Sequence, residues 1–145
     1  MAEAPVAPPF RILPRVTERN SPFWTGGAEG ELRIQRCQDC HEFLHPPAVI
    51  CPVCHSKRLE FEVVSGRATV FTFSVNYQQW MPGPELPYVV AIVALDDAAP
   101  VRLTTNIVNC DPESVEIGMP VQVIFEQHDD VWIPLFEPSA AQAAP

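Results

Sequence analysis

Basic residues are nearly missing from the second half of this chain. Residues 68–145 hold Arg102 alone against ten Asp and Glu, so the formal net charge of −9 lies there; residues 1–67 balance eight Lys and Arg with eight acids. An acidic half repels a polyphosphate backbone and counts against nucleic acid as a partner. No apolar run reaches membrane-spanning length, and the N-terminus shows no basic-then-apolar leader. The expectation is a cytoplasmic protein without a membrane partner. Glycine is scarce at six residues while proline reaches seventeen, which disfavours long helices and favours short strands between turns. There is no Gly-rich phosphate loop and no nucleophile elbow, and Ser65 and Ser74 stand beside no base signature. The residues therefore supply no catalytic group, and no internal repeat is visible.

What the chain does have is cysteine in a telling order. Cys37-Gln38-Asp39-Cys40 is followed, ten residues on, by Cys51-Pro52-Val53-Cys54. Two such pairs form two knuckles that close on one tetrahedral metal. Four thiolates leave no open position, which describes a structural zinc rather than a catalytic one. Two disulfides, four free thiols or an all-thiolate iron centre are the competing readings. An odd count of five cysteines, four of them in metal spacing, fits a reducing compartment. His41, His45 and His55 surround the knuckles and could replace a ligand, but four Cys already fill the site. His128, in an acidic turn, reads as solvated. Cys110 reads as a packing thiol, since no cation stands near it in sequence to lower its pKa.

Taken in order, residues 1–13 are Ala/Pro-rich and read as an unpacked arm, with the arm extending to residue 20. Ser21-Pro22 reads as an N-cap and first helical position, and Gly26, Gly27 and Gly30 limit that helix to about two turns. Phe23 and Trp24 are adjacent on it; they either fix the helix to the metal module or dock a partner. Residues 31–36 alternate as a strand entering the first knuckle. Residues 59–63 alternate again, then Ala68–Tyr77 forms a longer strand with Phe71, Phe73, Val75 and Tyr77 on one face. Tyr88–Leu95 is apolar on both faces, and strands follow at 101–108, 121–125 and 131–136. Five or six short strands without a long helix read as a small closed barrel, with Gly66 at a sharp bend. The divisions are arm 1–20, helix and ribbon 21–58, barrel 59–138 and a disordered tail 139–145.

From Ser21 to Pro138 the sequence resembles the zinc-ribbon plus OB-fold proteins known as "domain of unknown function thirty-five". The resemblance is carried by Ser21-Pro22-Phe23-Trp24, Gly30-Glu31-Leu32, Gln35-Arg36-Cys37-x-x-Cys40, Pro46-Pro47 and Cys51-Pro52-x-Cys54. It continues through Val64-Ser65-Gly66, Leu86–Ala91 and Ile117-Gly118-Met119-Pro120-Val121. The order of these motifs is specific where each alone is weak. His41 and His55 depart from the pattern, standing where the family usually has Gly; that position tends to need positive φ. The resemblance implies a mainly β fold: a short N-terminal helix, a rubredoxin-like zinc ribbon, then a small OB-fold barrel. It also implies a non-catalytic accessory subunit in a hetero-oligomer with a thiolase-like or hydratase-like enzyme, helping to enclose an acyl-coenzyme A ester.

Two surfaces follow as expectations. The stiff, proline-rich connection 77–87 carries Tyr77, Trp80 and Met81, residue types favoured at interface cores, and joins Phe23 and Trp24 as a candidate partner surface. Arg33, Arg36, Lys57, Arg58 and Arg67 bracket the ribbon and are candidates for coenzyme A phosphates, or an ordinary solvated face. The rival functions are a single-stranded nucleic-acid binder, through stacked aromatics on an OB barrel, and a rubredoxin-like electron carrier.

Overall fold

The computed structural model describes residues 10–139. The expectations for 1–9 and 140–145 lie outside the described residues. A single turn of helix, α1 (Ser21–Thr25), passes into a 3-10 turn at Gly26–Glu29 that ends at Gly30. Pro22 sits in the first turn, but the N-cap is Asn20 rather than Ser21. The Asn20 side chain does not cap the helix; it accepts from the Thr17 amide at 2.7 Å and donates to the Arg15 carbonyl at 3.1 Å. Phe23 is buried, and its ring meets Trp24 edge-on at 4.8 Å and the His45 ring at 4.7 Å. Trp24 packs partly buried on the same core.

The ribbon is a three-stranded antiparallel sheet in the order β2–β1–β3, with β1 at Leu32–Cys37, β2 at Phe43–Leu44 and β3 at Leu59–Val64. The alternation at 59–63 does mark a strand, but one that pairs with β1 from Leu32↔Val64 to Cys37↔Leu59. Alternation reveals a strand without revealing its neighbour: the division at residue 59 assigns this strand to the barrel, whereas it is the third strand of the ribbon. The chain leaves the ribbon at Gly66, whose φ of +76° and contact with Val123 make the turn.

The barrel contains β4 (Arg67–Asn76), β5 (Tyr88–Leu95), β6 (Arg102–Ile107), β7 (Pro120–His128) and β8 (Val131–Pro138). It closes in the order β4–β5–β6–β8–β7, with β7 returning to β4 at Arg67–Thr69. The β6–β8 seam is thin: one parallel pair, Ile107↔Phe136, a 2.9 Å bond from the Val108 amide to the Phe136 carbonyl, and a 3.1 Å bond from the Thr105 hydroxyl to the Pro134 carbonyl. The expected single apolar face of β4 is broken. A bulge between Val70 and Thr72 adds Phe71 as an extra residue, so Ala68 and Val70 point into the core before it and Phe73 and Val75 pack there after it. Phe71 is turned outward, with the Arg102 guanidinium 3.8 Å above its ring. Leu32, Ile34 and Phe23 share one core with Val70, Val93 and Phe136, so ribbon and barrel are packed together. Cys37, Leu44 and Cys51 form a second, small core at the cysteine end.

Candidate metal centre and docking surfaces

The two knuckles are built alike. The Cys37 amide donates to the Glu42 carbonyl at 2.9 Å and the Cys51 amide to the Ser56 carbonyl at 2.8 Å. Each chain then turns back through His41 and His55, whose amides donate to the Cys37 and Cys51 carbonyls at 3.0 and 2.9 Å. His41 and His55 have φ of +66° and +63°, as the expected glycine-type position requires. Asp39 ties the knuckles together, accepting from the Arg58 guanidinium at 2.6 Å and from the Ser56 hydroxyl.

These turns bring all four sulfurs of Cys37, Cys40, Cys51 and Cys54 within 4.8 Å of one another. The Cys37–Cys54 and Cys40–Cys51 sulfurs are 3.5 and 3.6 Å apart. Four sulfurs each bonded at about 2.3 Å to a tetrahedral ion stand about 3.8 Å apart, so the donor set fits zinc. Electrostatics point the same way. Amide bonds from Cys40 and Asp39, against burial, pull the Cys37 thiol down to about 6, helped by the neighbouring thiols. Cys40 receives the Glu42 amide, yet burial and the facing thiols push it up to about 12, and Cys54 is raised for similar reasons. The first thiolate thus disfavours charge on Cys40 and Cys54 unless a cation shares the site. Among the described residues this is the metal-ligating cluster, and no histidine belongs to it. His45 is instead half-buried against Phe23, and that loss of solvent lowers its pKa.

The remaining sequence candidates separate. Phe23 is buried core and offers a partner no surface, whereas Tyr77, Trp80 and Met81 are exposed, Trp80 to 74%. Trp80 is steadied by a 3.0 Å bond from its indole nitrogen to Asn76, and Tyr77 by a 2.6 Å bond to Glu113. Three of the five basic candidates are already engaged: Arg33 by Glu29 and Glu31, Arg36 by Glu62, and Arg58 by Asp39. Lys57 and Arg67 make no ion pair among the described residues.

His128 is not solvated. β7 runs through it, its side chain is 11% exposed, and Nε2 lies 2.7 Å from Glu126. Glu126 also accepts from Arg11, whose Nη1 reaches Asn106 at 3.0 Å. The arm is therefore seated on the barrel at Phe10–Arg11, which the Ala/Pro-rich composition did not reveal. The one available signal was the large apolar and basic residues Phe10, Arg11 and Ile12 at its end.

Comparisons with known proteins agree with this geometry. The family profile described as "ChsH2, rubredoxin-like zinc ribbon domain" matches residues 24–60, and "ChsH2, C-terminal OB-fold domain" matches 62–126. A "DUF35 domain-containing scaffold protein" of Methanothermobacter thermautotrophicus is 38% identical over 98 residues, covering 66% of this chain and 72% of that protein. The chain belongs to the ChsH2/DUF35 family. A solved chain of the "Ltp2-ChsH2(DUF35) aldolase" superposes with TM-score 0.78 at 33% identity, covering 87% of this chain and 98% of the other. Within the same family, the "3-oxo-4,17-pregnadiene-20-carboxyl-CoA hydratase alpha subunit" of Mycobacterium tuberculosis is 34% identical over 131 residues, 90% of this chain and 41% of that protein. The "Probable enoyl-CoA hydratase alpha subunit" of Thermomonospora curvata is 36% identical over 92% of this chain and 42% of its own length. The chain spans about two-fifths of the length of these two relatives.

Proposed function

We propose that this chain is a non-catalytic scaffold subunit of a hetero-oligomeric enzyme acting on acyl-CoA esters, beside a thiolase-like or hydratase-like chain that supplies the reacting groups. The observation that carries the reading is the likeness over 98% of a chain of the solved "Ltp2-ChsH2(DUF35) aldolase". Relatives named as scaffold proteins and as hydratase alpha subunits support it.

Each part of the chain has a role in that reading. Zinc held by Cys37, Cys40, Cys51 and Cys54 supplies folding energy and no reaction chemistry. The ribbon and barrel share a core, so a rigid ribbon fixes the direction in which the barrel faces its partner. Tyr77, Trp80 and Met81 form an exposed apolar surface on a loop held in place by Asn76 and Glu113. Such aromatic anchors contribute most of their binding energy once water is excluded. For coenzyme A phosphates, Lys57 and Arg67 are the cations to favour. Arg33, Arg36 and Arg58 would first have to leave carboxylates.

A tagged chain purified from its native cells tests this. A stoichiometric thiolase-like or hydratase-like partner, identified by mass spectrometry, is the expected result. Recovery of the chain alone, or with bound oligonucleotide, overturns it. A red, iron-loaded product would instead favour electron transfer, since zinc is colourless.

A further inference from the structure

The two knuckles share one backbone pattern but are unequally covered. The first lies under the chain that leaves the second: the Gln38 amide donates to the Arg58 carbonyl at 2.8 Å, and Cys37 is fully buried and Cys40 partly so. In the second, Cys51 is fully buried, but Pro52, Val53, Cys54 and His55 all stand exposed, Val53 to 62%. Cys54 is thus the ligand most open to a small molecule in solution. Its sulfur is 3.5 Å from that of Cys37, which belongs to the other knuckle and lies 17 residues away. Asp39 holds the knuckles against each other without help from the sulfurs, through the Arg58 guanidinium at 2.6 Å and the Ser56 hydroxyl.

We propose that Cys54 is a site of oxidation by hydroperoxides, which couples it to Cys37 and expels the metal. Thiolates rather than thiols attack peroxides, and the cysteine ligands of a structural zinc are thiolates. The exposed Cys54 thiolate attacks one peroxide oxygen, and the O–O bond breaks. Cys54 becomes a sulfenic acid, while the other oxygen leaves as hydroxide and takes a proton to give water. The Cys37 thiolate then attacks the Cys54 sulfur, forming the disulfide and releasing a second hydroxide, which is protonated in turn. Two thiolates have given two electrons to the peroxide, and two protons have been consumed. Cys40 and Cys51 are left, half of a tetrahedral donor set, and the metal is released. The new bond joins the same two knuckles that the metal joined, so the ribbon stays closed in the oxidised chain. Thiols reverse the step by exchange and restore the site. A bond inside one knuckle, between Cys51 and Cys54, would do neither the metal's cross-linking nor this.

The test is hydrogen peroxide added to the full-length, zinc-loaded chain carrying Cys110→Ser, which removes the fifth thiol. Zinc release is followed with a chromogenic chelator, and the bonded cysteines are mapped by mass spectrometry of non-reduced peptides. The expected result is zinc release with a disulfide between Cys37 and Cys54, reversed by dithiothreitol and fresh zinc. Structural zinc sites accept histidine in place of one cysteine, so Cys54→His and Cys40→His should both still load. Cys54→His, without the exposed thiolate, should release zinc about tenfold more slowly. Cys40→His, which keeps the pair of Cys37 and Cys54, should release it as fast as the parent chain. Zinc retained under peroxide, Cys54 bonded to Cys51 or Cys40, a sulfinic acid in place of the disulfide, or equal release from the two histidine variants each overturns the proposal. The mapping needs no altered ligand, so it decides even where histidine is not accepted. A chain that resists peroxide yet captures its partner would sink this inference and leave the scaffold role standing.

Discussion

Cys51 is wholly buried, yet its sulfur faces three others that cannot all be thiolates without a cation. Metal affinity and folding are therefore one equilibrium at this end of the molecule. Structural zinc sites of this kind contribute about 10–16 kcal/mol, as much as a whole domain's net stability of about 5–15 kcal/mol. Cys51→Ser should lose bound zinc and the cooperative melting of the ribbon, read by metal analysis and thermal denaturation. Cys110→Ser, outside the cluster, should keep both. A subtler residue is Glu126. Burial opposes its charge, but bonds from Arg11 and His128 hold its pKa below the ordinary value. A depressed carboxyl adds stability that is complete above its unfolded pKa of about 4.3 and disappears as pH falls through the lower folded value. Glu126→Gln should flatten that acid limb, and Arg11→Ala should cost about 1 kcal/mol at neutral pH, both read from urea midpoints between pH 3 and 7.

At the scale of elements, what was legible depended on how far the message travels along the chain. The two Cys-x-x-Cys knuckles, the barrel strands and the bend at Gly66 all arise from local spacing and backbone freedom, and they stand where the sequence places them. The partner of β3 and the bulge at Phe71 depend on which strand lies alongside, information that alternation does not hold. The Arg11–Glu126 contact joins residues 115 apart, in a segment whose composition suggested no packing at all. His128 differs from its expected solvated place for a related reason: Asp129 and Asp130 form the turn while its own ring folds back along β7 onto Glu126. Gly66 gives the sharpest element-level test. Its φ of +76° excludes most side chains, and an added Cβ would fall 2.2 Å from the Val123 Cγ1. Gly66→Ala should cost about 2–3 kcal/mol or more, measured by denaturant unfolding, because strain and overpacking act together.

Across the whole molecule, charge and apolar surface are divided between two tasks. The barrel half carries the entire −9, so two copies approaching through it would repel, and a neutral or basic partner is favoured. Against that acidic background the loop carrying Tyr77, Trp80 and Met81 presents an exposed apolar surface: Trp80 is 74% exposed, and among the described residues its indole nitrogen bonds Asn76, four residues before it. Truncating it should therefore leave the fold intact. If it anchors the partner, Trp80→Ala should weaken capture by 2 kcal/mol or more, about thirtyfold, with an unchanged melting temperature. Quantitative pull-down at matched concentrations checks this, and raising the salt separates the contributions. Loss through Trp80 is apolar and should persist at high ionic strength, whereas any steering by the acidic barrel should fade over the same range. Unchanged capture by Trp80→Ala would move the docking surface off this loop.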